Sequence, residues 1–238
     1  MTAETKNAII LGASSGIGRE MALWLAREGW RVGITGRREA LLREVAALAP
    51  DSIRTSAFDA TDVAGLPGRL DALADGLGGL DLFVISAGTG YPNPDLDPGT
   101  EQTTATLNVA AFTRAADWAY TRFARSGGGR LAAITSVAGL LGNPSSPAYS
   151  ASKAYQIMYL SGLAKRAKKE KSGVVVTDIR PGFVDTDMMK GGGHFWVSSP
   201  RDAAALACRA IAGGSRLQYV SRKWALLGIL VRWGSIFS

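Results

Sequence analysis

The chain has 238 residues, 47% of them hydrophobic and 20% charged, which is enough apolar material to bury a substantial core in one domain. This composition excludes a disordered or collagen-like chain, and the 29 glycines call for many tight turns or close backbone approaches. The formal charge of +7 admits nucleic acid, an anionic membrane surface or an anionic cofactor as partner, whereas one Cys (Cys208) and one His (His194) exclude an internal disulfide and a metal cluster of soft or imidazole ligands.

Residues 1–6 lack the long apolar run of a secretory signal, so a reducing cytoplasm is the expected setting. Asn7 to Leu11 reads as a short buried strand and leads straight into Leu11-Gly12-Ala13-Ser14-Ser15-Gly16-Ile17-Gly18, then a helical run from Arg19 to Gly29. In such a strand-to-helix turn Gly12 permits the sharp exit, Gly16 lets the backbone approach a diphosphate, and Gly18 lets the helix pack on the sheet. The helix start, with Ser14, Ser15 and Ile17 around it, offers N–H groups and partial positive charge to phosphates. The second strand, Arg31 to Thr35, ends in Gly36-Arg37-Arg38. Arg37 stands nineteen positions after Gly18, about where a NAD site carries an acid for the ribose 2'-hydroxyl. A guanidinium there, from Arg37 or Arg38, suits the 2'-phosphate of NADP, and cations are otherwise disfavoured at a helix start. Asp59, after the third strand (Ile53 to Phe58), is placed to accept a hydrogen bond from an adenine amino group.

The fourth strand, Leu80 to Ser86, runs into Ala87-Gly88 and an irregular stretch, Thr89 to Gly99, with three prolines. Helical patterns cover Glu101 to Arg125 and Pro147 to Lys171, on either side of a fifth strand from Arg130 to Ser136. Thirteen positions after Ser136 comes Tyr149, and four after that Lys153. Residues i and i+4 of a helix share a face, so Tyr149 and Lys153 point into one space, and the strand-end hydroxyl completes the group. The basic run Lys165 to Lys171 suits the end of that helix as a solvated face.

Gly173 to Ile179 and Leu217 to Ser221 are the last two strands. Between them Asp187 to Ser199, with Gly191, Gly192 and Gly193 in a row, is a substrate-covering segment or a plain surface loop. Met188, Met189, Phe195 and Trp196 near it suggest an apolar pocket. No acidic residue follows Asp202, and the tail from Lys223 to Ser238 is apolar and basic yet too short and interrupted for a membrane span. Two readings stand for it: a cover over the substrate cleft or a neighbouring subunit, and a helix lying on an anionic membrane surface. No other patch interleaves basic and aromatic residues, so nucleic-acid binding is not expected.

Continuous Val, Ile and Leu runs alternating with helical patterns predict an α/β fold. The expectation is a single domain over residues 1–238, a Rossmann-type doubly wound parallel sheet of about seven strands with helices on both faces. Ligands then belong at the carboxyl ends of the strands.

Taken together and in order, these motifs resemble the compact branch of the short-chain dehydrogenase/reductase family from about Lys6 to Met188. The resemblance rests on the Gly12, Gly16 and Gly18 turn, Asp59, Ala87-Gly88, Asn108 in Leu107-Asn108-Val109, the Ser136, Tyr149 and Lys153 set, and Pro181-Gly182-Phe183-Val184-Asp185-Thr186. One departure is Ile85-Ser86, where the family usually has an Asn before the Ala-Gly pair. The resemblance implies an NADP(H)-dependent oxidoreductase that transfers hydride between nicotinamide and the carbonyl or alcohol of a small molecule, and the apolar residues named above suit an apolar one. It implies Tyr149 as acid/base, Ser136 on the substrate oxygen, and Lys153 on the nicotinamide ribose. Lys153 and the oxidised nicotinamide are expected to lower the tyrosine's usual pKa of about 10 by roughly one to three units. Asn108 is expected to support a water-linked proton path to Lys153, and Thr186 with the Val184 backbone to orient the carboxamide. A homodimer or homotetramer through the two long helices is also implied. An isomerase or dehydratase of the extended branch would bring a different glycine spacing and a larger C-terminal region. A non-enzymatic NADP(H) sensor or scaffold predicts loss of a catalytic side chain, and none is lost.

Overall fold

The computed structural model describes residues 5–187, 195–221, 223–226 and 228. Among them, β1 (Asn7–Leu11), β2 (Arg31–Gly36), β3 (Ile53–Ala57), β4 (Leu82–Ile85), β5 (Gly129–Ile134), β6 (Val174–Arg180) and β7 (Leu217–Tyr219) form one sheet in the order β3-β2-β1-β4-β5-β6-β7. All pairings are parallel. The helices are α1 (Gly16–Arg27), α2 (Glu39–Ala47), α3 (Leu66–Leu77), α4 (Pro98–Ala105), α5 (Phe112–Arg125), α6 (Pro147–Glu170) and α7 (Pro200–Ala212).

Alternate strand residues feed two separate cores. Ile9, Leu11, Phe83, Ile85 and Leu131 pack with α3, α5 and α6, while Ala8, Ile10, Ile34 and Val84 pack with α1, α2 and α7. With both faces covered, every strand position has reason to be apolar, which is why the strands read as unbroken runs. Phe83, fully buried and edge-on to Trp118 at 5.2 Å, is one of the largest contributors. Burying a side chain of this kind stabilises the fold by about 2–3 kcal/mol.

Because β1 has β2 on one side and β4 on the other, the winding reverses there and a crevice opens at the carboxyl ends. Main-chain bonds brace it. Gly12 and Ala13 both donate to the Thr35 carbonyl, at 3.1 and 2.9 Å, and Ser86 and Ala87 both donate to Leu11, at 2.8 and 2.7 Å. The departure at Ser86 is therefore absorbed by backbone bonding.

Several boundaries differ from the sequence expectation for local reasons. The helix after β1 starts at Gly16 rather than Arg19. β5 stops at Ile134 because Ser136 turns away to cap a 3-10 turn over Val137–Leu140, its Oγ accepting from Ala138 N at 3.0 Å. The stretch expected as one helix from Glu101 to Arg125 starts at Pro98, where Asp97 accepts from Thr100 N at 2.7 Å, and is interrupted by a π-helical segment, Thr106–Ala111, between α4 and α5. Such wider turns recur at functional sites. Lys165, Lys168, Lys169 and Lys171 at the end of α6 are exposed, in keeping with a solvated face.

Candidate active site

A cavity of about 910 Å³ lies at the carboxyl ends of the central strands. That is toward the upper end for small-molecule sites. Every catalytic and cofactor-binding candidate named from the sequence lines it except Gly18 and Asn108.

At one end the main chain shapes the wall. Gly12 has φ +91, and a Cβ there would lie 2.5 Å from Ala87 N. A Cβ on Gly18 would strike the Gly12 carbonyl oxygen, and one on Gly16 would lie 3.1 Å from the Thr186 methyl. Any side chain would thus block the close approach of helix, turn and loop. Ser15 caps α1 without a side-chain bond to the helix, and the first turn carries no acid. The Ser14 and Ser15 hydroxyls instead accept from Arg38 Nη2, at 2.9 and 2.7 Å, and Arg38 Nη1 reaches Asp187 at 3.4 Å. Arg37 lies 3.8 Å from Asp59. Spacing had pointed first to Arg37, but the structure brings Arg38 onto the turn and leaves Arg37 on the Asp59 side. Asp59 accepts from Thr61 N and Oγ1 at 2.9 and 2.8 Å, and these bonds, the backbone one foremost, hold its carboxyl below the usual value.

At the other end buried side chains meet. The Ser136 hydroxyl lies beside the Tyr149 phenol, whose ring packs so closely on Gly90 that a Cβ there would enter it. Lys153 is buried, with Nζ 5.8 Å from the Tyr149 ring centroid. As the i and i+4 spacing predicts, phenol and ammonium share one space. Nζ donates to the Ile134 carbonyl and to Gln156 Oε1, both at 3.0 Å. Burial pushes Lys153 down to about 8, opposed by the Asp178 carboxylate. Burial also raises Tyr149, with the Ser136 hydroxyl opposing. Among the protein's own groups desolvation wins, and the Lys153 ammonium is bonded to Ile134 and Gln156, whereas the expected lowering by Lys153 and the oxidised nicotinamide concerns the loaded site.

Asn108, in the π-helical segment, clasps the chain after β4. Its Oδ1 accepts from Thr89 N at 2.9 Å, and its Nδ2 donates to Thr89 O at 2.7 Å and to Ser152 Oγ at 3.0 Å. Its own carbonyl accepts from Gln156 Nε2 at 2.9 Å. The Gln156 side-chain amide thus links the Asn108 carbonyl to Lys153. Behind them, Arg180 donates to Asp178 Oδ2 through Nε at 2.7 Å and Nη2 at 2.6 Å, and Thr135 Oγ1 donates to Oδ1 at 2.5 Å. Gly90, Gln156 and the Asp178–Arg180 pair were not singled out from the sequence. Gln156 had a usable signal, since it follows Lys153 by three on one helix.

The first turn of the tail closes the far side. Trp224 is buried with its indole on Gly182, where a Cβ would collide with the ring. Its Nε1 donates to the Trp196 carbonyl at 3.3 Å, and the ring stacks on Phe195 and meets Phe183 edge-on. Phe183 and Trp224 line the cavity, so Phe195 and Trp196 are joined to it through them. Leu226 is exposed, as is Trp196, over which Lys223 Nζ lies 5.6 Å from the ring centroid. Met188, Met189, the three glycines 191–193, His194 and residues 229–238 lie outside the described residues. Among the described residues no helix is long and apolar enough to cross a membrane, and no group of three or more His, Cys, Asp or Glu is placed to hold a metal.

A family model described as short chain dehydrogenase matches residues 6–194. The chain belongs to the short-chain dehydrogenase family. It is accordingly an oxidoreductase in the general sense, and its relatives agree. An uncharacterized oxidoreductase of Myxococcus xanthus is 35% identical over 188 residues, covering 77% of this chain and 74% of that one. Another, from Staphylococcus saprophyticus, is 31% identical over 218 residues, covering 87% and 92%. The solved structure of ElxO with NADP bound superposes with a TM-score of 0.81 at 20% identity, over 93% of this chain and 99% of that one, and shows the same fold.

Proposed function

We propose that this short-chain dehydrogenase uses NADP(H) to interconvert a carbonyl and an alcohol on an apolar substrate. The observation that carries the reading is that Ser136, Tyr149 and Lys153 meet in one cavity continuous with the glycine turn and the two arginines. The residues present fit a dinucleotide phosphate. The glycine cradle leaves room, the N-cap Ser15 makes no side-chain bond to the α1 start, and Arg37 and Arg38 would hold a 2'-phosphate, with Asp59 as acceptor for the adenine amino group. ElxO, of the same fold, binds NADP.

The cofactor supplies the hydride. Tyr149, protonated at neutral pH, gives its phenolic proton to the carbonyl oxygen. Ser136 Oγ, held by Ala138 N beside the phenol, donates its O–H to the same oxygen when substrate is bound. Lys153 supplies positive charge beneath them, fully present only below about pH 8. Ala87, Gly88 and the Pro181, Gly182, Val184 and Thr186 segment wall the nicotinamide side, and Tyr91, Leu107, Leu141, Phe183 and Trp224 make the substrate side apolar.

NADPH oxidation across carbonyl compounds of rising apolar size tests this reading. Turnover is expected with apolar members, and Tyr149→Phe should lower it at least ~100-fold with little change in melting temperature. Comparable turnover by the folded variant overturns the assignment. The same reading includes a homodimer or homotetramer through the outer faces of α5 and α6, where Tyr155 and Met158 are exposed. Light scattering at micromolar concentration should give at least twice the chain mass, and a pure monomer refutes it.

A further inference from the structure

Gln156 lies on α6 within a turn of Lys153 and is 1% exposed. A buried amide is costly unless both of its ends are bonded. Both are: Nε2 donates to the Asn108 carbonyl at 2.9 Å, and Oε1 accepts from Lys153 Nζ at 3.0 Å. The orientation is forced, since only the Nε2 end can donate to a carbonyl, which turns Oε1 onto the ammonium. Of the three ammonium donors, Ile134 and Gln156 take two. The third is left for the cavity that Lys153 lines, beside Gly88 and Tyr149.

We propose that Gln156 is the positioning residue for Lys153, setting where its ammonium points and how firmly it holds its proton, without touching the substrate. The proposal rests on the reading of Lys153 given above. A neutral acceptor fixed by Asn108 favours the charged lysine without adding a counter-charge. Among the described residues, the titratable groups facing Lys153 are Tyr149 on its own helix and Asp178 on β6, the latter already held by Arg180 and Thr135. β5, the 3-10 turn and the π-helical segment present neutral groups to it. An amide can pass on hydrogen bonds but cannot relay a proton without losing its amide form. The Asn108–Gln156–Lys153 chain is therefore a clamp and does not itself relay a proton.

Burial opposes this clamp by taking the lysine down to about 8, close enough to neutrality that a lost acceptor matters. The test is a titration of the Lys153 ε-carbon by NMR in protein carrying 13C-labelled lysine, with the signal assigned by its absence in Lys153→Arg. Gln156→Met keeps the bulk and removes the acceptor, so the Lys153 pKa should fall by about one unit, tenfold in proton affinity. Gln156→Glu places a carboxylate on the ammonium and should raise it by about one unit or more. Opposite shifts are the expected result. Unchanged values, or shifts of the same sign, overturn the proposal, because a merely structural role gives no such pair of signs. If Gln156→Met does not fold, the sign of the shift in Gln156→Glu decides alone. No substrate or cofactor is needed, so failure here is distinct from failure of the proposed reaction.

Discussion

Around the Gly12 to Gly18 turn the cavity is shaped by main chain and edged with exposed charge, whereas around Tyr149 it is shaped by buried side chains that satisfy one another. The arginines illustrate the first kind of wall. Arg37 and Arg38 are 69% and 50% exposed, and their pairs with Asp59 and Asp187 are long, at 3.8 and 3.4 Å. Exposed pairs of this kind contribute about 0–1 kcal/mol, so the guanidiniums can exchange a carboxylate for a phosphate at little cost. Lys153, Gln156 and Asn108 illustrate the second, since each is buried and bonded to its neighbours. Leaving one such group unpaired costs about 1–3 kcal/mol. Recognition at the first end can be retuned without unfolding the site, whereas chemistry at the second depends on geometry that a single substitution disturbs.

The largest effect expected is the loss at Tyr149 described above, and next comes the charge reversal of the arginine edge. Replacing Arg37 and Arg38 together by Asp exchanges attraction for repulsion at the 2'-phosphate, and NADPH affinity should fall about 10–100-fold while NADH binding holds or improves. Fluorescence titration of both cofactors reads this directly. An equal loss for both would break the comparison, because it would mean that the arginines hold the turn together instead of selecting the cofactor.

A smaller effect is expected at the tail. Trp224→Ala uncovers Gly182 and removes an aromatic wall, so KM for apolar substrates should rise about tenfold and the melting temperature should drop, as for other buried aromatic truncations. NADPH affinity should stay within about twofold, in line with a wall on the substrate side. Parallel loss of cofactor affinity would place the tail with the cofactor end instead.

How far the site could be read in advance follows the same division. Gly12, Gly16 and Gly18 carry their meaning locally, since a strand, a turn and a helix start are contiguous in the chain. The Tyr149 and Lys153 spacing is also local, because a helix converts four positions into one face. The choice between Arg37 and Arg38 was not local. It turns on Ser14 and Ser15 from another strand end, and on Asp187 from a loop 149 positions away.

The alternating apolar runs, the glycine turn, and the ordered Ser136, Tyr149 and Lys153 determined on their own the parallel α/β sheet and the place of the site, because each depends on periodicity or contact within one element. Tertiary structure alone decided what surrounds those groups. It interrupted the helix before α5 so that Asn108 meets Thr89 and Gln156. It turned the lysine toward Ile134, buried the phenol enough to raise its pKa, and laid Trp224 on Gly182. Desolvation and hydrogen-bond pairing are properties of the packed neighbourhood, and these neighbours are brought together from separate strands, loops and helices only when the sheet closes beneath them.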